Sequence, residues 1–316
     1  QEIPVGTWRT HLSYQPITCL ANTPNRLYVG TSNGLFYLDK ESNEITVLSN
    51  QNGLKATPIV KLVYDSSQDV LLIVYEDAEL AILKDNQISI ISTLQNISTS
   101  FEKKIYQTSL YKNNIYLSTS FGLVVFSISS MEVKEIYYQI GMNASNLEVY
   151  SSAVYQNNLY IVTNEGVKSG SLNSKVNLLD FKNWGKITSP PGVSSTTPFM
   201  IASNNNQLYA AVDNNGVYQF QENKWTQIDS PPIHTISSFD FSVDQLTICQ
   251  NENVFLQNGN EFILFQHDLI KKPRDAFFES TNRGWIVDEI SGLLSFQNGI
   301  IDQIKLNSPA INSISH

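Results

Sequence analysis

Apolar and polar positions alternate along most of this chain with a period of two, and no stretch keeps a helical period for more than a turn or two. The clearest example is 25–39, NRLYVGTSNGLFYLD. Leu27-Tyr28-Val29 is an aromatic and branched run, Thr31-Ser32-Asn33 is a polar turn, and Gly34-Leu35 starts a second alternating run, Phe36-Tyr37-Leu38. Strands of period two joined by residues that tolerate tight-turn backbone angles predict a β-hairpin.

The same hairpin recurs. Asn113-Asn114-Ile115-Tyr116-Leu117 leads to Gly122-Leu123-Val124, Asn157-Asn158-Leu159-Tyr160-Ile161 to Gly166-Val167, and Asn206-Gln207-Leu208-Tyr209 to Gly216-Val217-Tyr218. Asn282-Arg283-Gly284-Trp285-Ile286 leads to Gly292-Leu293-Leu294, and two weaker copies without the glycine fall at 69–82 and 245–256. Seven copies at roughly 40-residue spacing is the period of β-propeller blades.

Each repeat reads as four strands. The inner ones are expected at 17–22, 59–65, 106–112, 150–156, 199–203, 236–242 and 275–280. The outer ones are expected at 45–49, 88–92, 134–139, 184–187, 224–229, 262–266 and 301–306. The fold class is therefore all-β, a seven-bladed β-propeller of four-stranded antiparallel blades spanning residues 1–310. Residues 1–16 hold one surplus strand, Trp8-Arg9-Thr10-His11-Leu12, which either closes the last blade or links to a neighbouring domain. Residues 311–316 read as the start of a further blade or domain, so the chain is expected to be a fragment of a longer protein.

Composition narrows this further. Of the 316 residues, 41% are hydrophobic and 16% charged, with a net charge of −9. That is a globular balance, and it argues against general nucleic-acid binding, which needs clustered excess Lys and Arg. No apolar run approaches the length of a membrane-spanning helix. Cys19 and Cys249 fall in apolar strand contexts of different repeats and read as small buried hydrophobes rather than a disulfide. A chain starting at Gln1 without Met has the look of an exported protein after removal of a signal peptide.

A propeller also sorts its loops. The turns between second and third strands share one face with the connections from an outer strand to the next inner one, long here at 50–58, 93–104, 140–149, 188–198 and 267–273. Binding residues concentrate on loops held by a rigid scaffold, so this face is the candidate site. It carries basic residues Lys103, Lys104, Lys271, Lys272 and Arg274, with Lys55 alone; such positive clusters suit an anionic ligand. It also carries acids at the turns, Glu76-Asp77, Glu165, Asp213, Glu252 and Glu289, which turn chemistry accounts for without catalysis.

Catalytic and metal motifs are not expected. Gly30-Thr31-Ser32-Asn33-Gly34 matches G-x-S-x-G, but a nucleophile elbow needs a strand-turn-helix, and here a strand turns into a strand. His11, His234, His267 and His316 lack metal-ligand spacing, and no phosphate-binding glycine motif or calcium loop is present. Most of the aromatics fall on strand positions and are expected to pack between blades.

The repeat unit LYVGTSNGLFYLD resembles the two-component regulator propeller repeat, with Tyr where that repeat often has Trp. The opening Val5-Gly6-Thr7-Trp8-Arg9-Thr10-His11-Leu12, followed by Ile17 and Asn33-Gly34-Leu35-Phe36-Tyr37, resembles the mature start of PorZ-type proteins of the Bacteroidetes type IX secretion system. That family has two seven-bladed propellers and a C-terminal β-sandwich sorting domain, so this chain would be roughly the first propeller. The resemblance implies a non-enzymatic surface protein without cofactor, working beside the sortase in presenting anionic lipopolysaccharide to exported cargo. Its implied partners are other secretion-complex proteins and an anionic lipopolysaccharide or glycan. Two alternatives stand: the periplasmic oligosaccharide sensor of a hybrid two-component kinase, and a propeller polysaccharide lyase or glycosidase.

Overall fold

The computed structural model describes residues 16–94, 96–97, 102–204 and 206–305. Its strands form seven separate four-stranded antiparallel sheets, each from four consecutive strands in chain order. Blade 1 runs from Ile17–Asn22 through Ile45–Leu48, and blade 2 from Ile59–Asp65 through Gln87–Ile91. Blade 3 spans Ile105–Tyr111 to Glu132–Tyr137, and blade 4 Val149–Tyr155 to Trp184–Ile187. Blade 5 spans Met200–Ser203 to Lys224–Gln227, blade 6 Ile236–Ser242 to Glu261–Phe265, and blade 7 Pro273–Ser280 to Ile300–Gln303. The expected strands agree with these within a residue or two, except that the last outer one, expected at 301–306, ends at Gln303, and the described helical turns are short 3-10 turns. The surplus segments at residues 8–12 and 311–315 lie outside the described residues.

The hairpin signature works as read. Thr31, Thr119 and Thr163 each end a second strand, and each hydroxyl donates to the carbonyl of the glycine three residues on. Each also accepts the N–H two residues on, which fixes the turn from both sides. Gly122, Gly166 and Gly216 sit at positive φ where the third strand begins. In blade 2, which lacks the glycine, Ala78 takes the left-handed conformation instead, at φ 64°. Thr31-Ser32-Asn33-Gly34 therefore belongs to a strand-turn-strand, and Ser32 is no elbow nucleophile.

The core is distributed between blades. Seven clusters of buried apolar side chains each join two neighbouring blades. One of them closes the ring: Leu20, Val29 and Phe36 of blade 1 pack against Trp285, Val287 and Leu293 of blade 7. Cys19 and Cys249 are buried free thiols in blades 1 and 6, and burial pushes the Cys19 thiol up to about 12.

Each innermost strand has one edge with no sheet partner, so its backbone groups must find others. Neighbouring blades supply them through side chains. Thr18 donates to the Ile59 carbonyl at 2.5 Å, Ser151 to that of Phe199 at 2.8 Å, and Ser237 to that of Pro273 at 2.7 Å. Gln107 accepts from Ser152 N–H and donates to the Ile201 carbonyl, both at 2.8 Å, tying three blades together. Asp275 closes the circle, accepting from Leu20 N–H of blade 1 at 3.2 Å and the Ser238 hydroxyl of blade 6 at 3.1 Å.

Candidate functional site

Inner strands start and second strands end on the same face of the ring. In six blades the register slips by one residue there, a bulge that leaves Thr18, Val60, Tyr106, Tyr150, Ser237 and Arg274 without a cross-strand partner. Below the mouth lies a central channel of about 480 Å³, lined by the inner strands of all seven blades. Lys61, Asp240, Asp244 and Asp275 are the charged residues that line it. Burial among the inner strands pushes Asp240 up to about 6, and the charge of Asp275 adds to the shift. Burial raises Asp275 too, opposed by Lys61 and by hydrogen bonds from Leu20, Ser238 and Ala276.

The five basic residues expected from the sequence all fall on this face, in two groups. Lys103 and Lys104 lead into blade 3, while Lys271, Lys272 and Arg274 lead into blade 7. Three or more blade boundaries separate the groups in either direction, so they flank the mouth from opposite sides. Most are engaged locally. Lys103 donates to the Leu94 carbonyl at 3.1 Å, and Lys104 pairs with Glu102 at 3.0 Å. Lys272 pairs with Glu289 at 2.6 Å, and Arg274 pairs with the same carboxylate. Lys271 has no side-chain partner among the described residues.

One turn acid, Glu289, is the partner of two of those cations. The Glu289 carboxyl is held below its usual range, first by Lys272 and then by Arg274. Lys55 of blade 2 pairs with Asp77 and, at 2.5 Å, with the nearly buried Glu79. Glu165 accepts from Met142 N–H at 2.9 Å and the Ser145 hydroxyl at 2.8 Å, and pairs with Lys168 at 3.1 Å. Burial alone would raise Glu165, but those bonds outweigh it and hold it low. Asp213 accepts from Ile236 N–H at 3.3 Å. Lys272 and Arg274 with Glu289, and Lys55 with Asp77, are thus candidate bases paired with candidate acids across loops, which no sequence spacing reveals.

Two features escaped the sequence reading. Tyr106 and Tyr150 stand side by side at the mouth, ring centroids 5.8 Å apart, and both hydroxyls donate to Glu148. Burial and that carboxylate raise both phenols, so they remain donors through neutral pH. Asp288, buried at the end of a second strand where three other blades have Thr, accepts four backbone N–H groups. These are Lys271 at 2.8 Å, Lys272 at 2.6 Å, Ile290 at 3.0 Å and Ser291 at 2.8 Å. It shapes the loop that carries the blade 7 cations. An Asp at a Thr position of the repeat was the available signal.

His234 contacts Asn214 at 2.8 Å and His267 accepts from Leu269 N–H, each within loop structure. Among the described residues, no three of the His, Cys, Asp and Glu side chains cluster as a metal site. No helix among them is long and apolar enough to cross a membrane.

Comparison with known proteins adds a family. The sequence of residues 27–185 matches the family described as the N-terminal β-propeller domain of PorZ, TSS9. Among solved structures, the chain is similar to PorZ, a bacterial surface component of the type-IX secretion system of Porphyromonas gingivalis. The TM-score is 0.79 at 18% identity, over 96% of this chain and 40% of that one. It is also similar to the extracellular domain of a hybrid two-component system from B. thetaiotaomicron, with TM-score 0.64 at 15% identity, over 91% of this chain and 40% of that one. The WD40 β-propeller domain of Doa1 follows at TM-score 0.63 and 11% identity, over 92% and 94%. The chain spans about 40% of the length of the first two. No curated protein matches its sequence. At such identities the solved structures speak for the fold alone.

Proposed function

Because the chain belongs to the family of PorZ N-terminal β-propeller domains, we propose that it is an exported recognition and assembly module of a type IX secretion system, and not an enzyme. The carrying observation is the family match across residues 27–185, laid over a rigid ring whose mouth loops are fixed by inter-loop ion pairs. Such a mouth presents a preformed surface to a partner without an ordering cost. Lys55, Lys272 and Arg274 are paired with mouth carboxylates, and Glu165 and Glu289 are held below their usual range, which suits structural acids better than the acid and base pair a glycosidase needs. The likeness to a P. gingivalis surface component supports placement outside the inner membrane.

In this reading the finer ligand is an anionic glycan of the lipopolysaccharide kind, met at the mouth by Lys271 first. Lys103, Lys104, Lys272 and Arg274 are available to it only by exchanging their present partners. In-frame deletion of residues 16–305 in the bacterium that makes the protein tests the assembly role. The expected result is loss of surface-attached secreted cargo. Normal cargo attachment with impaired growth on oligosaccharides would overturn it in favour of a sensor. Release of new reducing or unsaturated ends from polysaccharides by the purified chain would overturn the non-enzymatic assignment.

A further inference from the structure

The opposite face of the ring carries a feature of a different kind. In blade 4 the connection from third to fourth strand runs through residues 172–183, where other blades turn within residues 85–86, 222–223, 259–260 or 298–299. This insertion is braced at every step. Leu172 N–H donates to the Asn157 carbonyl at 3.0 Å, Asn183 to the Asn177 carbonyl at 2.8 Å, and the Trp184 indole to the Leu178 carbonyl at 2.8 Å. Trp184 in turn packs edge-on against Tyr137 of blade 3, centroids 5.9 Å apart. A long loop held rigidly over a neighbouring blade is an expected carrier of function.

Beneath it lies a cleft of about 270 Å³ between blades 3 and 4. Tyr111 and Tyr137 line it, with Lys112, Lys134, Glu135 and Asn157. The Lys112 ammonium sits 5.0 Å over the Tyr111 ring. Among the described residues, no ion pair engages Lys112 or Lys134, nor Lys175 and Lys182 on the insertion. In a chain of net charge −9, a cleft edged by unpaired lysines is a local reversal of the overall field.

We propose that this cleft binds a single acidic sugar unit, a saccharide bearing one carboxylate or phosphate. Lys112 and Lys134 hold the anion, Tyr111 and Tyr137 offer aromatic surface to the sugar ring, and Asn157 and Glu135 take its hydroxyl groups. Glu135 is what selects against a plain or multiple anion: it repels a second charge but accepts from hydroxyls. The site is on the face away from the channel mouth and does not depend on the secretion role proposed above.

The test is a ligand-observed NMR titration of the 316-residue chain with glucuronate, glucose 1-phosphate, glucose and inorganic phosphate. One of the two acidic sugars is expected to bind at least tenfold more tightly than glucose or phosphate alone, and which one identifies the anion. The double variant Lys112→Ala/Lys134→Ala should lose at least tenfold in that affinity with an unchanged unfolding midpoint, since both side chains lie at the surface. Lys271→Ala, at the mouth, should leave it unchanged. Equal binding of all four probes, or binding that survives the double variant, overturns the proposal. Loss of binding in Lys271→Ala alone overturns it too, and would move acidic-sugar binding to the mouth.

Discussion

The two faces of this ring use the same residue types to opposite ends. Around the channel mouth, lysines and an arginine face glutamates and aspartates on adjacent loops, as Lys272 and Arg274 face Glu289 and Lys55 faces Glu79. Across the lower edge of blades 3 and 4, Lys112 and Lys134 border a cleft with no ion pair to either among the described residues. A paired surface cation contributes little to stability and is not free for a ligand, whereas an unpaired one beside aromatic rings is. Partner geometry, rather than the number of lysines on a loop, separates a structural charge from a binding one.

Trp184→Ala should have the largest effect, and it falls on the lower face. Trp184 is buried, anchors the insertion through Leu178, and fills the space that keeps residue 170 a glycine. A Cβ on Gly170 would meet Leu178 Cδ2 at 2.5 Å and Trp184 Cε3 at 3.3 Å. Truncation should cost about 3–5 kcal/mol in chemical unfolding and abolish acidic-sugar binding with it. Full binding in a destabilised variant would show that the insertion does not build the cleft.

Asp288→Ala comes next, on the upper face. It removes the acceptor of four backbone N–H groups, one of them buried and three part-buried, and about 2 kcal/mol of stability should go with them. Asp288→Asn, which retains one acceptor oxygen, should recover part of it. Acidic-sugar binding at the lower cleft should persist in both variants. If it falls in step with stability, the two faces are not independent.

Much of the fold was legible because the repeat writes each blade's alternation, turn and glycine seven times over. The hairpins at Thr31, Thr119 and Thr163 read as strand-turn-strand from the sequence, and even the copies without glycine, 69–82 and 245–256, formed blades. The candidate site was legible only to the level of the face. Lys103 and Lys104 lead into blade 3, and Lys271, Lys272 and Arg274 into blade 7, on that face but on opposite sides of the mouth, since topology sorts loops between faces without bringing them together. Their partners were not readable, because Glu289 and Arg274 meet across two loops whose spacing along the chain carries no geometric information. The blade 4 insertion was visible as extra length before Trp184, but its meaning depends on the neighbouring blade over which it folds.

Between the two faces lies a third electrostatic setting, the channel, where Asp240 and Asp275 share Lys61. Asp240 opens onto the channel yet is enclosed by the inner strands, and its carboxylate accepts from Phe241 N–H at 2.8 Å. An unfolded aspartate titrates near about 3.9, whereas burial and Asp275 push Asp240 up to about 6. Between those values the folded protein holds the proton more tightly than the unfolded chain, so stability must fall as pH rises through the window. Asp240→Asn keeps the Phe241 contact and removes the charge. The variant should match the parent at pH 4 and unfold about 1–3 °C higher at pH 7, a shift of the size of 1 kcal/mol or less in a chain this long. Neutralisation should also relieve Asp275, which keeps its bonds to Leu20 and Ser238 and with them the ring closure. If the gain is as large at pH 4 as at pH 7, the effect is packing rather than charge. The channel would then join the mouth as a place where charges are matched, leaving the lower cleft as the contrast.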